Sequence, residues 1–168
     1  MKITHPHSFS KDELDQLSRD YDVLVIGAGL SGSEAALSLS RLGYKIALFE
    51  MRPHKMSEAH HGAKPAELVC SNSLKSKELI TAGGLLKKEI EVLGSSLLPL
   101  AYEASVAAGS ALAVDRDQFS SLVEQEIAGS ENIDYFELEF SQIKELAGKM
   151  YVLVAAGPLA SSALADEL

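Results

Sequence analysis

Tyr21-Asp-Val-Leu-Val-Ile-Gly-Ala-Gly-Leu-Ser-Gly32 is the stretch that decides the fold. Its first half is a compact β-branched run of the kind that forms a strand buried on both faces. Three glycines follow at G-x-G-x-x-G spacing, and the apolar positions Leu30, Ala36, Leu37 and Leu39 predict a helix from Leu30 to Leu42, closed by Gly43. Lys45-Ile-Ala-Leu-Phe-Glu50 then predicts a second strand. A strand, a tight turn, a helix and another strand imply two parallel strands joined by a right-handed crossover. The fold expected is α/β, a Rossmann-like dinucleotide-binding domain with a parallel sheet. Each glycine has its own mechanical reason: Gly27 for the tight turn, Gly29 for close approach of a pyrophosphate, and Gly32 for helix–strand packing. The strip Gly27, Ala28, Gly29, Leu30, Ser31 and Gly32 would then offer first-turn N–H groups and a helix dipole to a diphosphate. Glu50, 23 positions after Gly27, stands where a carboxylate accepts from ribose hydroxyls and repels a 2′-phosphate. The fingerprint alone does not separate FAD from NAD. The early position of the βαβ unit and the long insertion after Glu50 favour FAD.

Working outward, Ser10-Lys-Asp-Glu13 is a capping-box pattern that predicts a helix over 11–18, within an N-terminal extension of residues 1–20. The dinucleotide-binding domain is expected over 21–168. Residues 51–65, with two prolines and three histidines, read as a long irregular loop. A helical insertion is expected over about 66–105, from apolar periodicity in Ala82 to Leu93 and again in Leu97 to Ala104. Asp115 or Asp117 should cap a helix over 117–127 that ends at Gly129. Strands are expected at Ile133 to Phe140, Gln142 to Leu146 and Met150 to Ala155, the last running into Ala156-Gly157-Pro158.

Of the 168 residues, 46% are apolar and 23% charged, the composition of a folded globular chain. The net charge of −9 argues against nucleic acid as a partner of this chain alone, because such binding draws on Lys and Arg displacing counterions. No apolar stretch reaches the roughly 18 residues of a membrane span. The start Met1-Lys-Ile-Thr-His-Pro-His7 has no apolar leader, and the single cysteine, Cys70, has no internal disulfide partner. A cytoplasmic location is expected. His60 and His61 are adjacent, so on a helix they would diverge by about 100° and form no metal pair. Glu34, in the first turn of the phosphate-binding helix, is balanced between a helix-dipole role and a site role. Cys70 could be a buried inert thiol or a reactive one near a cofactor.

Several blocks in fixed order go further: Gly27 to Gly32, Glu34, Glu50-Met-Arg-Pro53, His60-His61, Glu67-Leu-Val-Cys-Ser-Asn-Ser-Leu74, Ala111-Leu-Ala-Val-Asp-Arg116 and Ala156-Gly-Pro158. From about Tyr21 onward the chain resembles the TrmFO family of folate- and FAD-dependent tRNA (uracil-5-)-methyltransferases. Its relative MnmG shares the glycine turn but is less similar at the Cys-Ser-Asn-Ser block. The resemblance implies an FAD that is reduced by NAD(P)H, takes a methylene from methylenetetrahydrofolate and delivers a methyl group to C5 of the T-loop uridine of tRNA. It makes Cys70 a catalytic cysteine, either the nucleophile at C6 or the acid–base group at C5. It matches Gly27 to Gly32 and Glu50 with FAD binding, and places Arg116 and Gly157 where later segments approach the cofactor. Family members are more than twice as long and carry a second catalytic cysteine and a basic tRNA-binding surface beyond the stretch matched here. The expectation is an N-terminal portion, inactive by itself, that needs a missing C-terminal half or a partner chain. The alternatives are an FAD- or NAD-dependent oxidoreductase without tRNA, and a non-catalytic dinucleotide-binding fragment.

Overall fold

The computed structural model describes residues 8–168, so the reading of the first seven residues lies outside it. In chain order the elements are α1 (Lys11–Asp20), β1 (Val23–Ile26), α2 (Leu30–Arg41), β2 (Ile46–Glu50), β3 (Ser73–Ser76), α3 (Ala82–Val92), α4 (Leu97–Glu103), β4 (Ser105–Val106), β5 (Ala111–Val114), α5 (Arg116–Ala128), β6 (Ile133–Glu137), β7 (Tyr151–Val154) and α6 (Ser162–Ala165). Four strands form a parallel sheet in the order β6-β2-β1-β7. The α/β class and the first βαβ unit are as the sequence predicts. Among the described residues no helix is long and apolar enough to cross a membrane.

The two central strands, β1 and β2, are buried on both faces. Val23, Val25, Ile46 and Leu48 point to one side, where Ala36 and Leu37 of α2 and Phe119, Val123 and Ile127 of α5 cover them. Leu24, Ile26, Ala47 and Phe49 point to the other, against Phe9, Leu14, Leu17, Phe140 and Leu164. The N-terminal helix is therefore part of the core rather than an appendage. Ser10 and Glu13 form the expected capping box, and α1 lays its apolar stripe of Leu14 and Leu17 under the sheet.

Three expectations change. The insertion is not wholly helical: β3, β4 and β5 make a second, antiparallel sheet in the order β3-β5-β4. Gln142 to Leu146 is not a strand but ends in a 3-10 turn over Lys144–Leu146. Ile143 and Leu146 both pack into the lower cluster. Two core contacts three residues apart need a turn, since a strand would put them on opposite faces. β6 also stops at Glu137, three residues short, because its partner β2 ends opposite at Glu50.

Candidate functional site

A cleft of about 320 Å³ opens at the carboxyl ends of β1, β2 and β7, where open α/β sheets place their ligands. Its lining includes Gly27, Gly29, Leu30, Ser31, Glu50, Arg52, His60, Val69 and Gly157. Gly27 turns the chain at φ +97°, and a Cβ there would come within 2.8 Å of the Ala155 carbonyl oxygen. A Cβ on Gly32 would lie 1.8 Å from the Gly27 carbonyl oxygen, so the helix approaches the turn as closely as its backbone permits. Gly29 is different: a Cβ there meets nothing within 4 Å. Its missing side chain makes room on the cleft side rather than inside the protein. Gly29 is also the N-cap of α2, with no side chain capping it among the described residues, which leaves first-turn donors free for an anion. Ala28 is fully buried, and Gly32 lies behind the cleft wall.

Glu50 closes one side of the turn. Its Oε2 accepts from the Ala28 backbone N–H at 2.9 Å, and its Oε1 accepts from Arg52 Nε at 3.0 Å. Burial pushes the Glu50 carboxyl up, but the Arg52 hydrogen bond and charge, with the N–H groups of Ala28 and Arg52, outweigh it and hold the group below its ordinary value. Arg52 is 1% exposed and bridges two carboxylates, Glu50 and, through Nη1 at 3.0 Å, Glu67. Glu67 in turn accepts from the backbone N–H groups of His61 and Gly62. The irregular 51–67 segment is thus folded around one buried guanidinium. Along the sequence Arg52 and Glu67 stand only inside larger blocks, with no role legible for either. A usable signal is nonetheless present, because a charged residue directly after a buried strand must find a partner.

Burial and the neighbouring Arg52 charge lower the His60 pKa, so its ring on the cleft wall stays neutral near pH 7. The Ser57 hydroxyl lies 2.5 Å from its Nδ1. Cys70 is exposed, which removes the buried inert reading; it follows Val69, which lines the cleft. Asn72 fixes this segment to β5: its backbone carbonyl accepts from Val114 N–H, its Nδ2–H donates to the Val114 carbonyl, and Ser73 pairs with Ala113. The two blocks Leu68 to Leu74 and Ala111 to Arg116, distant in sequence, are therefore one physical unit. Arg116 is exposed in the first turn of α5 and lies outside the lining of the cleft. Glu34 has a structural role, since its carboxylate accepts from Ser95 Oγ and from the Ser96 and Leu97 N–H groups, capping α4. Burial raises its pKa, but these hydrogen bonds prevail and lower it.

The profile of the family described as glucose inhibited division protein A matches residues 22–163. Among curated proteins, "Methylenetetrahydrofolate--tRNA-(uracil-5-)-methyltransferase TrmFO" of Acetivibrio thermocellus is 48% identical over 149 residues, 89% of this chain and 33% of its own length. The protein of the same name from Persephonella marina is 48% identical over 141 residues, 84% of this chain and 32% of its own. The chain thus spans about a third of the length of these relatives. Among solved structures, Aquifex aeolicus GidA superposes with a TM-score of 0.55 at 20% identity, covering 70% of this chain and 19% of that one, a likeness of fold. The extent of the profile match and the identity to the curated relatives place the chain in the glucose inhibited division protein A family.

Proposed function

We propose that this chain is the FAD-binding part of a cytoplasmic methylenetetrahydrofolate-dependent tRNA (uracil-5-)-methyltransferase that uses NAD(P)H as reductant. The observation that carries the cofactor assignment is Gly29, whose absent side chain leaves a cradle at an uncapped helix start in the cleft. The name borne by relatives at 45–49% identity supports the reaction. When bound, FAD would accept hydride and carry the one-carbon unit. The residues around it have separable roles. The N–H groups of Leu30, Ser31 and Gly32 would hold the diphosphate, and Glu50, kept ionised and oriented by Arg52, would accept from the ribose hydroxyls. Gly157, in the left-handed region at φ +67° on the opposite wall, brings bare backbone to the cleft. The approach of Arg116 to the cofactor rests on the resemblance alone. Cys70, exposed beside the cleft, would supply a thiol for the uracil ring, as the nucleophile at C6 or as the group that exchanges the C5 proton. The tRNA surface would belong to the intact enzyme, since this chain carries a net charge of −9.

The test is FAD titration of the purified chain, read by flavin absorption and fluorescence quenching. Gly29→Val should lower the melting temperature by no more than a few °C, the cost of a poorer N-cap, because Gly29 has ordinary extended dihedrals and open space around it. It should weaken FAD binding by at least about 100-fold, about 2.7 kcal/mol, as two charge-assisted hydrogen bonds to the diphosphate are lost. Unchanged affinity would refute the site. A chain that never takes up FAD would favour the non-catalytic reading, and NADH oxidation without methyl transfer in the intact assembly would favour the simple oxidoreductase. In this chain joined to the remainder of the Acetivibrio thermocellus relative, Cys70→Ala is expected to leave FAD binding and melting temperature unchanged and to abolish methyl transfer to tRNA. Retained transfer would remove Cys70 from the chemistry.

A further inference from the structure

A second cleft, of about 300 Å³, opens between α2, α3 and α4. Leu30 and Ser31 line both clefts, so the two meet at the first turn of α2. The floor of the second is apolar, with Leu97, Leu98, Ala101 and Phe119 drawn from the upper core. Its rim is apolar as well, and bare: Leu86 is 58% exposed and Leu30 38%. Small-molecule sites have this character, a mostly apolar lining with a few polar groups that fix orientation. The polar groups here divide into two kinds. Glu34 and Ser95 are consumed by the protein. The Glu34 carboxylate accepts from Ser38, Ser95, Ser96 and Leu97, and Ser95 Oγ accepts in turn from the Leu98 N–H. Lys87 is not. It is 7% exposed, and its ammonium donates to the Ser76 and Gly83 carbonyl oxygens at 3.0 Å each. An ammonium has three N–H donors, so one is left over. Among the described residues no carboxylate forms an ion pair with it. A cation withdrawn from water calls for a counter-charge, and burial accordingly lowers the Lys87 pKa.

We propose that this second cleft binds a small aromatic carboxylate, its one or two rings lying on the floor between Leu30 and Leu86 and its carboxylate paired with the Lys87 ammonium. A cavity at the small end of the range for ligand sites suits a body of that size. A rigid planar body fills it without the ordering cost of a flexible chain. The carboxylate supplies the counter-charge that the protein withholds from Lys87. An uncharged ligand of the same shape would cover the ammonium and leave it without one, so charge as well as shape selects the occupant. The site is independent of the cofactor assignment, since the groups it uses at Lys87 and on the floor do not line the first cleft.

The experiment titrates the chain with 2-naphthoate by calorimetry and uses 2-naphthamide as the uncharged counterpart. One-to-one binding is expected, with naphthoate at least about tenfold tighter than the amide, the scale of one hydrogen bond to a charged partner. Backbone amide shifts should move at Leu86, Lys87 and Ile90 and stay in place at Gly27 and Gly157. Lys87→Met should bring the two ligands to equal affinity. Leu86→Glu sets a like charge at the rim, at an exposed position that the fold does not need. It should weaken naphthoate by at least about tenfold and the amide far less, so the test stands whether or not Lys87→Met folds. No binding at millimolar naphthoate, equal affinity of the unaltered chain for naphthoate and the amide, or shifts confined to the first cleft would each overturn the proposal. FAD titration of the same sample reports separately on the first cleft, so a chain that binds FAD and ignores naphthoate refutes the second site alone.

Discussion

Arg52→Met is expected to destabilise the folded chain by about 3–5 kcal/mol, the cost of removing one member of a buried ion network and leaving the others unpaired. The guanidinium lies between Glu50 and Glu67, and its removal leaves two carboxylates facing a site built for a cation. Methionine has nearly the right length and no charge, so the loss reports electrostatics rather than an unfilled cavity. Because Glu50 Oε2 also accepts from Ala28 N–H, the disturbance should reach the glycine turn and weaken FAD binding as well. Urea unfolding measures the first effect. A loss below about 1 kcal/mol, the scale of an exposed pair, would show that the network is solvated. Arg52→Met combined with Glu50→Gln and Glu67→Gln should recover much of the stability, since no buried charge is then left uncompensated.

The same network sets a pH dependence. In the folded chain the Glu50 carboxyl sits below its ordinary value, so its contribution is fully present above about pH 4.5 and fades as the pH falls through the folded pKa. In Arg52→Met the influences that lower that pKa are largely gone and burial remains, so the carboxyl moves up. The gap between wild type and variant should therefore be widest at neutral pH and narrow under acid. A gap that stayed constant from pH 7 to pH 4 would contradict the assigned role of Arg52.

Gly32→Ala is expected to cost at least about 3 kcal/mol, the upper part of the range for overpacking. The added methyl would lie 1.8 Å from a backbone carbonyl oxygen, which cannot rotate away as a side chain could. Helix α2 would have to lift from the turn and disturb its burial of Val23 and Val25. At roughly 2–4 °C per kcal/mol for a chain of this size, the melting temperature should fall by about 6–12 °C. The contrast with Gly29→Val, larger in volume yet expected to cost only a poorer helix cap, separates a glycine needed by the fold from one needed by a ligand. A drop under about 2 °C would mean that α2 can shift at little cost.

The blocks that carry the family resemblance acquire physical meaning only in three dimensions. Glu50-Met-Arg-Pro53 and Glu67 are the parts of one buried ion network, and Leu68 to Leu74 pairs with Ala111 to Val114. Glu34 shows the opposite case. Its place beside the glycine turn suggests either a dipole or a site role, and its carboxylate instead caps a helix that begins 63 positions away at Leu97.

What the sequence by itself determined is what short-range forces specify. The β-branched run at Val23 to Ile26, the glycine turn and the capping box at Ser10 and Glu13 each act within a few residues, and each is found where the pattern put it; of the two candidate caps Asp115 and Asp117, Asp115 is the one used. Tertiary structure alone decided the antiparallel sheet. Ser73–Ser76 is polar, Ser105–Val106 is two residues long, and neither is a strand without its partner in Ala111–Val114. It also decided the burial of Arg52. Charge pairing and strand neighbours join groups far apart along the chain, and no local propensity encodes which of them will meet.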